Sequence, residues 1–97
     1  MTTSALGAFS LQGKRALVTG SESGLGRAIA RAFVASGASV VGADMSIPPD
    51  RSGSLGDDGH HLLALDLRER AAIGDAVERV VDLLGGIDVC VNCAGIG

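Results

Sequence analysis

The sequence predicts an α/β fold, a parallel sheet covered by helices on both faces, and three observations predict it. Short apolar runs alternate with longer amphipathic segments along the whole chain, glycines stand at the junctions, and the core-forming residues are almost all aliphatic. Apolar residues make up 46% of the 97 positions and charged residues 20%, a globular composition. Phe9 and Phe33 are the two aromatics, so Val, Leu, Ile and Ala must fill the interior.

Each element follows in order. Lys14 to Thr19 carries Ala16, Leu17 and Val18 in a run too short for a helix and bounded by Gly13 and Gly20, so a buried strand is expected. From Gly24 to Ser36, Leu25, Ala28, Ile29, Ala32 and Phe33 recur at three and four, giving a helical face, and Gly37 stands where the helix would stop. Ala38 to Ala43 reads as a second strand ending at Asp44. Met45 to Gly59 has Pro48-Pro49, three glycines and Asp57-Asp58, with no apolar period, and reads as a loop holding at most one helical turn. His61 to Leu65 is a third strand ending at Asp66. Ile73, Val77, Val80, Val81 and Leu84 mark a second helix that stops at Gly85-Gly86, and Ile87 to Val91 is a fourth strand. Right-handed crossovers between parallel strands then put helices on the faces of one sheet, as one domain over residues 1–97.

The formal charge of -3 offers no basic footprint for nucleic acid. No apolar run approaches the roughly 18 residues needed to cross a bilayer, and Met1 to Ser10 lack the pattern of a signal peptide, so no membrane partner and a cytoplasmic location are expected. Cys90 and Cys93 form a C-x-x-C. On a strand, residues three apart point to opposite faces and lie roughly 10 Å apart, too far for a disulfide or a shared metal, and His60 and His61 are not spaced to complete a zinc set.

Between the first strand and first helix stands Thr19-Gly20-Ser21-Glu22-Ser23-Gly24-Leu25-Gly26. Glycines here allow a tight turn, a close approach of backbone to a pyrophosphate, and packing of helix on strand, while the helix N-terminus offers free N–H groups to phosphate. The context makes it specific, because Asp44 follows 18 residues after Gly26 at the end of the second strand, where a carboxylate would accept hydrogen bonds from a ribose. Arg27 follows Gly26 where a P-loop would continue with Lys and Ser or Thr.

With Asp66-Leu67 after the third strand and Asn92-Cys93-Ala94-Gly95 after the fourth, T-G-x-x-x-G-x-G resembles the short-chain dehydrogenases/reductases. The resemblance runs from Leu11 to Gly97, roughly the first two-fifths of a family member of about 250 residues. It implies that Gly20, Ser21, Ser23, Gly24, Leu25 and Gly26 line the phosphates of NAD, that Asp66 and Leu67 sit at the adenine, and that Asn92, Ala94 and Gly95 face the nicotinamide-side ribose. Standing alone, Asp66 reads rather as a cap for the helix that follows it. The resemblance further implies an α/β, doubly wound parallel sheet of the Rossmann type in the strand order 3-2-1-4, a small-molecule secondary alcohol or ketone as substrate, and a homo-oligomer when complete.

Cys93 replaces the family's second Asn, Met45 to Gly59 lacks the helix usually found there, and the catalytic Asn, Ser and Tyr-x-x-x-Lys lie further along than Gly97. The chain has no tyrosine, and its one lysine is Lys14. The 97 residues are therefore expected to bind cofactor without turnover and to self-associate through an exposed fourth strand. Phe9 to Lys14 and Asp66-Leu67-Arg68 look like members acting on sugar acids, while Val91 to Gly95 looks equally like members acting on hydroxyacyl thioesters or steroids. The reading from another class is a non-catalytic dinucleotide-binding module or the remnant of a shortened gene, which needs no tyrosine.

Overall fold

A computed structural model describes residues 10–94. Strand β1 spans Arg15–Thr19, helix α1 Gly24–Ala35, β2 Ser39–Asp44, β3 His61–Ala64, helix α2 Arg70–Leu84 and β4 Val89–Asn92. The four strands form one sheet, parallel as the alternation of elements predicts and in the order β3-β2-β1-β4 that the resemblance implies. The register sets Thr19 beside both Ala43 and Asn92, so the loops that follow β1, β2 and β4 leave the sheet together.

The two faces carry separate cores. Ala16, Val18 and Val40 pack under Ala30 of α1, with Ile29, Phe33 and Val34 at the margin. Leu17, Val41, Ala43 and Leu63 point the other way and pack under Ala76 and Val80 of α2. Strand side chains alternate between faces, so every central strand must be apolar on both. Burying a side chain such as Val80 contributes roughly 2 kcal/mol. Helix α1 closes with Ala38 N–H on the Phe33 carbonyl and Gly37 N–H on that of Val34, at 3.0 and 3.1 Å. This double bond pattern satisfies the orphan carbonyls of the last turn.

Three expectations need correction. In α1, Ile29 and Phe33 are half-buried as expected and Gly26, Ala30 and Val34 join them, while Leu25, Ala28 and Ala32 are exposed. In α2, Val80 and Leu84 dock as expected, Ala76 docks beside them, and Val77 and Val81 are each 42% exposed. A period of three and four marks two adjacent stripes, and the sheet selects between them. The fourth strand begins at Val89 rather than Ile87, because Arg15 holds the turn before it. Its Nη1 donates to the Gly85 carbonyl at 3.0 Å, and its Nε and Nη2 fork onto Asp88 at 3.0 and 3.1 Å. Ile87 packs back toward α2.

The segment after β2 holds a single 3-10 turn, Pro49–Arg51, and then runs antiparallel beside β3. Gly53 N–H bonds the Leu62 carbonyl, Leu62 N–H that of Ser54, and Gly56 N–H that of His60, at 2.6 to 2.8 Å. This strip covers the outer edge of β3 and so blunts a pairing surface. Arg27 and Arg31 of α1 both reach Asp58 at 3.2 and 2.9 Å, tying the segment to the helix. Among the described residues no helix is long and apolar enough to cross a membrane.

Candidate functional site

The carboxyl ends of β1, β2 and β4 surround a cavity of about 480 Å³, within the usual range for small-molecule sites. Gly20 makes the turn out of β1. Its N–H bonds the Ala43 carbonyl at 2.8 Å, which draws the loop over β2. A methyl on Gly20 would stand 2.8 Å from the main chain of Cys93 and Ala94, and one on Gly26 would run into the Gly20 carbonyl. These two positions therefore admit only glycine where loop, helix and the turn after β4 meet. Gly24 differs: its φ of +55° favours glycine, and a side chain there would meet open space.

Helix α1 starts immediately after, and its N-cap Ser23 makes no side-chain cap bond. The first-turn N–H groups lack intrahelical acceptors and carry the positive end of the helix dipole, which suits an anion. Ser23 lies on the cavity wall.

Asp44 ends β2 on the same wall. Its Oδ2 accepts the Glu22 N–H at 3.1 Å and its Oδ1 the Ser46 N–H at 2.9 Å. Burial pushes this carboxyl up, but hydrogen bonding from the Ser46 and Glu22 amides and the Ser46 side chain outweighs it and holds the group below the usual carboxylate range. Each oxygen keeps a lone pair for a further donor.

Asp66 and Leu67 line the same cavity, with Met45, Leu65 and Arg68. Asp66 is not the cap of α2, whose N-cap is Glu69. Instead it accepts the Arg68 N–H at 3.0 Å and Arg68 Nη2 at 2.7 Å. The guanidinium beside Asp66 holds its pKa down to about 2. Arg68 is the one cation among the described lining residues, and Asp66 already occupies its Nε and Nη2.

Of the residues expected at the site, Gly20, Ser23, Asp44, Asp66, Leu67 and Ala94 share the cavity wall. Gly24 and Leu25 stand beside it, Leu25 being 53% exposed, and Gly26 is buried beneath the loop. Ser21, expected toward the phosphates, is fully buried, and its hydroxyl donates to Glu22 Oε2 at 3.0 Å. Asn92 accepts the Thr19 hydroxyl at 2.7 Å, joining the ends of β1 and β4. Gly95 lies outside the described residues. Cys90 is exposed and Cys93 buried, and both thiols are free.

Thr19, Ala43, Met45, Leu65, Arg68 and Cys93 complete the wall and were not expected there. Most are chain neighbours of expected residues at strand ends, which was the available signal. His60 precedes β3, is not among the residues lining the cavity, and has its Nε2 3.2 Å from Glu22 Oε2. Strand β3 begins opposite Val41, in the middle of β2, so the residue before it comes up under the glycine loop.

A family model described as short chain dehydrogenase matches residues 14–97. The chain belongs to the short chain dehydrogenase family. This short chain dehydrogenase chain is 39% identical over 89 residues to oxidoreductase UcpA of Salmonella typhimurium, a match covering 89% of the chain and 34% of that protein. It is 40% identical over 88 residues to sorbitol dehydrogenase of Cereibacter sphaeroides, covering 89% and 34% respectively. Its fold superposes on the crystal structure of a dehydrogenase/reductase from Sinorhizobium meliloti with a TM-score of 0.80 and 33% identity, over 97% of this chain and 39% of that one. The chain thus spans about a third of the length of the curated relatives it matches.

Proposed function

We propose that the protein is an NAD-dependent oxidoreductase that moves hydride between nicotinamide and a secondary alcohol or ketone, and that these 97 residues form its cofactor-binding part. One arrangement carries the reading. A glycine loop, an uncapped helix N-terminus and the carboxylate of Asp44 meet at one cavity, at the strand ends where α/β sheets take nucleotides.

The residues fit a dinucleotide. Gly24 leaves open space before the helix N-terminus, where a diphosphate needs main-chain N–H groups at close range. Asp44 is ionised, held by two amides, and retains lone pairs for the two ribose hydroxyls. A 2'-phosphate would meet that charge at close range. Arg68 offsets little of it, because Asp66 takes its Nε and Nη2 and balances its charge. The preference for NAD rests on this pair of facts. The bound cofactor supplies the hydride chemistry, and the residues described here bind and orient it. Likeness to a protein named sorbitol dehydrogenase supports an alcohol as substrate.

The test is calorimetric titration of the folded protein with NAD and NADP. NAD should bind at least about tenfold more tightly, and Asp44→Ala should lose roughly 2 kcal/mol of NAD affinity and narrow the ratio, as for hydrogen bonds to a charged group. A wild type that prefers NADP overturns the assignment.

A further inference from the structure

The phosphate-binding loop contains an acid, Glu22, in its middle. A carboxylate free to swing toward a diphosphate would repel it. Here it does not swing out. Its Oε2 accepts the Ser21 hydroxyl at 3.0 Å and faces His60 Nε2 at 3.2 Å, beneath the loop and over β2.

His60 is 1% exposed and heads the fully buried side chains by volume. Because its Nε2 faces a carboxylate, Nε2 carries a proton toward it, and Nδ1 is the ring nitrogen left over. That Nδ1 is buried with no partner. An apolar side chain would fill the same space without stranding a nitrogen, so the donor to Glu22 is what the imidazole adds. The chain makes room for it: a methyl on Gly42 would stand 2.6 Å from His60 Cδ2 and 2.5 Å from Ser21 Oγ. Side chain and main chain of Glu22 are then anchored on opposite sides, the carboxylate down on His60 and Ser21, the N–H out on Asp44 Oδ2 at 3.1 Å.

We propose that His60 is a positioning residue for the cofactor, holding the Glu22 carboxylate beneath the glycine loop and, through the Glu22 N–H, setting the direction of the Asp44 carboxylate. The proposal rests on the cavity being a dinucleotide site. Without the imidazole, the glutamate charge moves up toward the phosphates and the amide on Asp44 loses its anchor.

The experiment measures NAD affinity by calorimetry and folding by thermal unfolding on wild type, His60→Leu, His60→Gln and the double variant His60→Leu with Glu22→Gln. His60→Leu should weaken NAD about tenfold, and His60→Gln, whose amide nitrogen reaches the place of Nε2, should recover to within about threefold. Removing the glutamate charge in the double variant should also recover most of the loss, which a purely structural role for His60 does not allow. In the unliganded protein, the Glu22 amide proton resonance should shift in His60→Leu and return in His60→Gln. If His60→Leu does not fold, Ser21→Ala, which removes the other donor to the same oxygen, takes its place in the cycle. Folded variants that bind NAD like wild type, or a loss that Glu22→Gln leaves untouched, overturn the role of His60. A wild type that binds neither NAD nor NADP overturns the reading of the cavity itself.

Discussion

Gly24 and Gly26 look alike in the sequence and do different things in the structure. A methyl on Gly26 collides with the Gly20 carbonyl, so Gly26→Ala should cost roughly 3 kcal/mol in stability. Gly24 has φ +55° and open space beyond it, so Gly24→Val should cost only about 1–2 kcal/mol in backbone strain while blocking the cofactor. Urea unfolding and NAD titration on both variants check this; a Gly24→Val protein with wild-type affinity would reduce the loop to a turn. Asp44 and Asp66 were legible because their distances from strand ends are counted along the chain. Ser21, Glu22 and His60 were not, since the contact joins residues 38 apart and depends on where β3 starts against β2.

At the scale of elements, short apolar runs between glycines gave the strands to within one or two residues, since a strand this short has little freedom in where to begin. Helix faces were harder. Leu25 and Val77 satisfy the helical period as well as Ala30 and Val80 do, and only docking on the sheet separates them. The strip beside β3 left no trace in the sequence, because main-chain bonds have no side-chain signature. The joint between β1 and β4 has a pH consequence. The Arg15 guanidinium beside Asp88 holds that carboxyl at about 2, and Asp66 is held at about 2 by Arg68. An unfolded Asp titrates near 3.9, so between about pH 4 and about pH 2 the unfolded chain binds more protons than the folded one. The stabilisation is therefore complete above about pH 4 and lost as pH falls through about 2. The urea midpoint should drop over that window, and Asp88→Asn should flatten the drop; an unchanged slope in the variant would show the pair to be inert.

For the whole molecule, the parallel sheet followed from alternation and crossover handedness, its strand order from the glycine-loop resemblance, and the two separate cores from the need of a parallel sheet to be covered on both sides. The sheet's two margins are unequal. β3 is flanked by the strip at Gly53 to Gly56, whereas the outer margin of β4 pairs with no strand among the described residues. A body with two sticky margins polymerises; a body with one has a valency of one. For these 97 residues expressed by themselves, self-association should then stop at a pair related by a twofold axis, the two β4 margins satisfying each other and leaving nothing to extend. Sedimentation velocity over a wide concentration range should show monomer and dimer alone. A ladder of larger species would mean that the strip peels from β3 and gives the molecule a second hand.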